Sequence, residues 1–396
     1  MMTKKKLLFV TNGMVIGGST TSLLSILNQL DYSKYDVDLA LYLKTGEWLD
    51  KIPKSVSNVF EIRKYADKKE EYIHRLLSPK YMYHFCVSKI IDHRDKVGMH
   101  GAQYLEYKDA EFLNKIDQEY DVAIAFLEGF SCKYVARYIT AKKKIAWIHV
   151  NYIDSKFNPK YDAESMKAFE KVVLVSEDSK NAFDNSFPKL SGRSVVIENI
   201  LSDNFVTTLS KEKCDLAIQN NTINLVTTCR ISFSHKGLDR ALKMMDLIQK
   251  SGKLPSNFRW YIIGDGPDMP LLREMINVYQ LDEYVVLLGA QSNPFPYMRN
   301  MSMLFLPSIY EGKPMAVTEA FMMGLPALVT EYSSAREQVR DGVDGIIVEN
   351  SEQGVYEGLL KIIEHPEIIE DLKKNVLQTD YSNAEEMKKI EALLEG

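Results

Sequence analysis

No apolar run in this 396-residue chain approaches the roughly 18 residues that span a bilayer. The start, MMTKKKLLFV, is basic like a secretory leader, but its apolar stretch ends at Val10, before Thr11 and Asn12, which is too short for one. A cytoplasmic chain is expected, free or peripheral on the cytosolic face of a membrane. Cysteine is scarce. The four present, Cys86, Cys132, Cys214 and Cys229, are far apart and form no CxxC, so they read as reduced thiols rather than a disulfide or zinc framework. The seven histidines have no zinc spacing, although four of them (His74, His84, His93 and His100) crowd into 71–107. Basic charge is not in excess: the net is −5, which argues against nucleic acid as a partner. Low-complexity tracts and short-period repeats are missing. Asp36-Val-Asp38 is formally DxD, but it leads into an apolar strand, so no metal is expected there.

Apolar residues make up 45% of the chain and charged residues 26%, enough for well-packed cores in an ordinary globular protein. The length suits two domains better than one. Charge is divided between them. Residues 1–199 carry 30 Lys+Arg against 26 Asp+Glu (+4), and the remainder 19 against 28 (−9), which sums to the −5 of the whole. A basic first half fits an anionic surface. Short, continuous apolar runs alternate with amphipathic stretches throughout. The first half offers strands at Lys6–Thr11, Val37–Leu43, Val122–Phe126, Lys144–Ile148, Val172–Val175 and Ser194–Ile197. The second offers Asn224–Thr228, Trp260–Ile263, Val285–Leu288, Met303–Leu306, Ala327–Thr330 and Gly345–Val348. Continuous rather than alternating apolar strands belong to parallel sheets covered on both faces. Two doubly wound α/β domains are predicted, meeting within the weakly patterned stretch 199–222: 1–200, 201–380, and a C-terminal helix over 381–396 that can pack back on the first domain. Segment 71–107 breaks the pattern. It reads as a helix pair, with an amphipathic surface for a membrane or lipid-linked acceptor as its functional reading.

The chemistry concentrates in MLFLPSIYEGKPMAVTEAFMMGLPALVT, residues 303–330. A strand ends at Pro307, a loop carries Glu311 and Gly312, and a helix starts near Met315 beside Pro314 and stops at Gly324. That helix start aims backbone N–H groups at the carboxyl edge of a parallel sheet, a seat for phosphate. Glu311 and Glu319 flank it, and carboxylates suit vicinal diols such as those of ribose or hexose. Arg230 and Lys236 leave the strand Asn224–Thr228 at the same edge and can meet phosphate oxygens. Gly264-Asp265-Gly266-Pro267 is a tight strand exit, but Met269 takes the place of a third glycine, so the dinucleotide fingerprint is weak. TNGMVIGGST carries Gly17 and Gly18 ahead of a helix that Ser19 can cap, without the GK[ST] of a P-loop. His149 closes the strand run KKIAWI.

With these elements assembled, the chain resembles the family-four retaining glycosyltransferases (glycosyl transferases group 1) of GT-B fold. The resemblance runs through TTCRISFSHKGL, WYIIGDGP, VVLLGA, the 303–330 stretch and REQVRDGVDGIIV, and more loosely through FVTNGMVIGGS. It implies two Rossmann-like doubly wound domains facing a central cleft, the first (1–200) binding the acceptor and the second (201–380) the nucleotide sugar. It also implies transfer of a hexose from a nucleotide sugar, usually a UDP-sugar, with retention of configuration and without metal or other cofactor. The implied acceptor is a saccharide or lipid-linked glycan, as in capsule or exopolysaccharide assembly, with contact to an anionic membrane. By the same resemblance Glu319 takes the ribose hydroxyls and Glu311 the donor-sugar hydroxyls. Arg230 and Lys236 neutralise the diphosphate, and the backbone around Lys313, Pro314, Met315 and Ala316 holds phosphate or sugar. Gly17–Gly18 closes over the diphosphate, Gly264 borders the site, Gln291 lies by the base, and His149 sits near the reacting carbon. Two departures stand out: Cys229 replaces the usual glycine before Arg230, and Lys313 stands where an aromatic residue is common. The competing readings are an inactive GT-B partner or chaperone subunit, a nicotinamide dehydrogenase and a sugar-nucleotide epimerase. Intact Arg230, Lys236, Glu311 and Glu319 argue against the first. The missing GxGxxG argues against the second. The Glu311–Glu319 spacing, with no evident acid/base pair, argues against the third.

Overall fold

The computed structural model describes residues 4–396 except 66, 97–98, 107–111, 215, 217, 219–221 and 382–383. Parts of the expected linker 199–222 and of segment 71–107 thus lie outside the described residues. The chain divides into two compact units, Met1–Ile200 with Glu385–Gly396, and Leu201–Ala384.

The first unit holds a seven-stranded sheet: β1 (Lys5–Thr11), β2 (Tyr35–Leu41), β3 (Asn58–Glu61), β4 (Glu119–Ala125), β5 (Thr140–Ile148), β6 (Lys171–Leu174) and β7 (Ser194–Val196). Their order is β3-β2-β1-β4-β5-β6-β7, with every pair parallel. Residues Leu7–Thr11 of β1 are all buried, as expected of a central strand covered on both faces. β3 has no counterpart among the expected strands: it is short, at the sheet edge, and only partly buried.

Segment 71–107 forms three helices rather than two: Lys68–Leu77, Pro79–Asp95 and His100–Leu105. Ser78 ends the first and caps the second, with Pro79 at its first turn, where the missing N–H costs nothing. The last helix, Ala384–Glu395, belongs to this unit. It buries Met387, Ile390 and Leu394. Lys5 Nζ donates to the Leu394 carbonyl (2.8 Å), Lys143 Nζ to the Leu393 carbonyl (2.8 Å), and Tyr35 Oη to Glu395 (2.7 Å).

The second unit holds six parallel strands: β8 (Ile223–Thr228), β9 (Phe258–Ile263), β10 (Val285–Gly289), β11 (Met303–Leu306), β12 (Ala327–Thr330) and β13 (Gly345–Val348). The order is β10-β9-β8-β11-β12-β13. Helix Leu238–Lys250 shows how its faces are covered: Leu238, Ala241, Leu242, Met245 and Ile248 recur at helical spacing and are buried in one core cluster with Trp260 and Phe305 of the sheet.

Both sheets reverse their winding once, between β1 and β4 in the first and between β8 and β11 in the second. At such a switch point the loops leaving the carboxyl ends diverge and open a crevice, the place where open α/β sheets bind ligands.

Candidate functional site

The loops after β8 and β11 flank the second switch point, and they carry Arg230, Lys236 and Glu311. After β8 the chain is pinned to the loop after β9. Cys229 N–H donates to the Ile263 carbonyl (3.0 Å), Ile231 N–H to that of Asp265 (3.0 Å), and Phe233 N–H to the Asp268 carboxylate (2.7 Å). Only glycine allows that approach at 264: φ is +142°, and a Cβ would lie 1.9 Å from the Cys229 carbonyl oxygen. Gly264 and Gly266 are therefore structural here; they bring the β9 exit against the Arg230 turn.

A single helical turn, Phe233–Lys236, then ends in Gly237 at φ +60°. A Cβ there would lie 2.3 Å from the Pro307 carbonyl oxygen. This close contact brings Lys236 beside the loop after β11. Its ammonium is ion-paired with the Glu311 carboxylate, which also accepts from Ser308 Oγ (2.7 Å). Burial works to lower the Lys236 pKa, but the Glu311 charge and hydrogen bond outweigh it and raise the pKa. Burial also pushes the Cys229 thiol up to about 12, so it stays protonated. Arg230 is exposed and has no hydrogen-bond or ion-pair partner among the described residues.

Helix Met315–Met322 begins after Pro314 with no side-chain cap, leaving its first amides available. Glu319 lies one turn in and is 7% exposed, so it is not a solvated helix residue. Lys313, Pro314, Met315 and Ala316 line the approach to this helix in sequence. Gln291, past Gly289, donates its amide back to the Leu288 carbonyl (2.6 Å).

Three residues that fix this loop went unrecognised in the sequence. Arg240 donates to the carbonyls of Pro307 (2.9 Å) and Ser308 (3.0 Å) and to Asn350 (2.7 Å), and Asn350 donates to the Ile309 carbonyl (2.7 Å). Thr330 Oγ1 adds a bond to the Ser308 carbonyl (2.5 Å). No motif marks them, because each acts on backbone far away in sequence.

In the first unit, Gly17 is itself the N-cap of helix Gly18–Gln29, with no side-chain cap. Ser19 does not cap it: the cap falls two residues earlier than expected, which places Ser19 inside the first turn. The amides after Gly17 thus take no side-chain cap. His149 follows β5, and both of its ring nitrogens are shielded from solvent without a partner among the described residues. The Asn199 side chain is its polar neighbour, outside hydrogen-bonding geometry, and burial holds the His149 pKa down at about 3. Asp36 and Asp38 are used structurally. Ser57 donates to the first, and Asn58 and Tyr120 to the second. Among the described residues no group of three or more His, Cys, Asp or Glu is arranged to hold a metal, and no helix is long and apolar enough to cross a membrane.

Residues 222–365 match the family model described as Glycosyl transferases group 1. The matched stretch lies within the second unit. The group 1 match is echoed by curated relatives. The chain is 25% identical over 210 residues to an uncharacterised glycosyltransferase of Methanocaldococcus jannaschii, covering 50% of each protein. It is 26% identical over 217 residues to the amylovoran biosynthesis glycosyltransferase AmsD of Erwinia amylovora, covering 54% of this chain and 57% of AmsD. The chain thus spans about half the length of the curated relatives it matches. Solved structures match along the whole chain. Anabaena HepE in complex with UDP and glucose is 16% identical, with TM-score 0.70 and 99% of each chain covered. TarM of S. aureus in complex with UDP is 13% identical, with TM-score 0.69, 99% of this chain covered and all (100%) of that one. The fold is GT-B, built of two Rossmann-like units.

Proposed function

We propose that the protein is a retaining glycosyltransferase that moves a hexose or hexose derivative from a nucleotide sugar, UDP-linked, to a saccharide or lipid-linked saccharide in cell-surface polysaccharide assembly. The observation that carries this reading is the Lys236–Glu311 pair at the switch point of the second sheet, beside an uncapped helix start and the recessed Glu319. The UDP complexes of the structural neighbours support the choice of base.

In this reading Glu319 accepts from the ribose hydroxyls and Glu311 from hydroxyls of the donor sugar. Lys236, Arg230 and the first amides of helix Met315–Met322 hold the diphosphate. Departure of the nucleoside diphosphate builds negative charge on its terminal phosphate. Fixed cations and amides stabilise that charge most in the transition state, where stabilisation accelerates the reaction. The sugar–phosphate bond breaks and the acceptor oxygen bonds to the same face of the same carbon. The acceptor proton passes to the departing phosphate. Glu311 is a binding group here, not a nucleophile. These cations carry the charge without metal, so turnover that fails in EDTA and returns with magnesium would refute that part.

The basic first unit supports contact with an anionic membrane. On helices Lys68–Leu77 and Pro79–Asp95, Tyr72, Ile73, Leu76, Leu77, Tyr83 and Ile90 are exposed, with exposed Lys69, Lys80 and Lys89 among them. Two acidic residues of these helices are occupied: Glu71 with Arg63 and Arg75, Asp92 with the Gly101 amide. Apolar side chains interspersed with lysines suit an interfacial helix. Flotation with anionic but not neutral vesicles tests this; equal indifference to both removes it.

The main test is a thermal-shift screen of UDP- and GDP-sugars, since a matched ligand stabilises the folded state. It is followed by release of nucleoside diphosphate from the best donor. Lys236→Ala and Glu319→Ala should stay folded and lose most turnover. Near-normal turnover in either would overturn the assignment. The same assay separates an inactive partner subunit, which would bind and release nothing.

A further inference from the structure

The amino ends of β5, β6 and β7 lie side by side, at the opposite edge of the first sheet from the carboxyl ends where open α/β sheets bind ligands. β5 pairs with β4 from Thr140 onward, but its pairing with β6 begins only at Ile145. Residues 140–144 therefore overhang. Beside them is an open pocket of about 450 Å³, with Lys142, Lys144, Phe169, Glu170 and Arg193 among its walls. A space of that size admits a small molecule. Glu170 stands just before β6 and Arg193 just before β7, so the pocket is built by this one edge and lies wholly within the first unit.

Two of the charged walls are already matched: Lys142 is paired with Asp121 (2.7 Å), and Glu170 faces Lys143 (3.8 Å). Lys144 and Arg193 are not. Both are half-buried, and among the described residues neither has a carboxylate partner. Lys144 Nζ donates once, to the Ala136 carbonyl (3.1 Å), which leaves the rest of the ammonium's donors unspent. Burial lowers its pKa, and no neighbouring carboxylate counters that. Arg193 donates through Nη1 alone, to the carbonyls of Lys167 (3.1 Å) and Phe169 (2.7 Å), which fixes the plane of the guanidinium. Its Nε–Nη2 edge is left over, and that edge forks onto two oxygens of one anion. Partly buried cations call for a counter-charge, and two of them with spare donors in one pocket point to an anion brought from outside.

We infer that this amino-edge pocket binds a phosphate group, clasped by the Nε–Nη2 edge of Arg193 and by the Lys144 ammonium. A phosphate monoester carries about two negative charges at neutral pH and has three acceptor oxygens, which suits two uncompensated cations better than a carboxylate does. The group belongs either to a soluble ester or to a lipid headgroup, and the chemistry that holds it is the same. The inference stands apart from the transferase reading, whose residues lie on other strands.

The test is calorimetric titration of the full chain with glycerol 3-phosphate and with acetate, beside flotation with phosphatidylcholine vesicles that carry or lack phosphatidic acid. Glycerol 3-phosphate binding more tightly than acetate assigns the pocket to a soluble ester. Flotation that needs phosphatidic acid, with no binding of glycerol 3-phosphate, assigns it to a headgroup. In either case Lys144→Met and Arg193→Gln should each weaken binding by roughly tenfold, the loss expected when a hydrogen bond to a charged group goes. Lys189→Met removes an exposed charge from the same end of the unit, and Lys236→Ala disables the phosphate seat proposed at the second sheet; both should leave this binding as it is. Arg193 also holds two carbonyls, so Lys144→Met, which keeps an apolar stem, decides the matter if Arg193→Gln proves unstable. No binding of either phosphate probe, acetate binding as well as the ester, or equal losses in Lys144→Met and Lys189→Met would overturn the inference.

Discussion

Replacing Glu311 by glutamine removes one negative charge beside Lys236 and keeps the side chain's size. In the free protein Glu311 neutralises Lys236 and takes the Ser308 hydroxyl bond. The same carboxylate must repel an arriving diphosphate. At a separation of ~6 Å and an effective dielectric of ~20, each unit charge meets roughly 3 kcal/mol of repulsion. The two side chains are 20% and 13% exposed, so the pair is shielded but not sealed. Solvent and salt leave about half of that figure, or a factor of about ten in Kd. Glu311→Gln should therefore bind UDP about tenfold more tightly. It should gain nothing for the intact nucleotide sugar, because the carboxylate grip on the sugar is lost. Without ligand the variant should be less stable by roughly 1–3 kcal/mol, since a half-buried ammonium has lost its counter-charge. Calorimetric titration with UDP and with the nucleotide sugar, at low and high salt, reads all of this. Unchanged or weaker UDP binding in Glu311→Gln, with Lys236→Ala still defective, would refute the reasoning.

His149, held near pKa 3 against an ordinary 6.5, stays neutral in the folded chain while the unfolded chain takes up a proton below that ordinary value. Stability should therefore fall as pH drops below about 6.5, by roughly 2 kcal/mol at pH ~5, and His149→Gln should flatten that part of the curve in urea titrations. For the same reason no activity limb near 6.5 should trace to this imidazole. Gly264→Ala would force a Cβ to within 1.9 Å of the Cys229 carbonyl oxygen at φ +142°. A loss of about 3 kcal/mol or more is expected, and a urea midpoint within error of the parent would contradict it.

How legible all this was depends on the range of the interaction involved. Central strands such as β1 and β11 announced themselves, because a strand covered on both faces must be apolar throughout. β3 did not, because an edge strand reading NVFE is half-exposed and carries no run. The break at Ser78-Pro79 was readable from a cap residue followed by proline, yet the aromatic and apolar character on either side hid it. Glu311, Lys236, Arg230 and Glu319 could be named as strand-end and helix residues. That Lys236 and Glu311 are ion-paired could not, because they are 75 residues apart and meet only because β8 and β11 are neighbours. The burial of Glu319 was likewise hidden: a glutamate in MAVTEAFM reads as the polar face of a helix until that helix proves to be covered. Arg193 stands in SGRSV, which matches no motif, and only its unspent donors draw attention.

The closing helix, Ala384–Glu395, shapes how the molecule can be made and cut. It completes the unit that holds β1, so Lys5 and Tyr35 wait for partners 389 and 360 residues further along the chain. Folding during synthesis can finish the second unit before the first. A fragment ending at 200 would leave Tyr35, Lys5 and Lys143 facing water where Glu395, Leu394 and Leu393 belong, whereas a fragment spanning 201–384 carries its whole core with it.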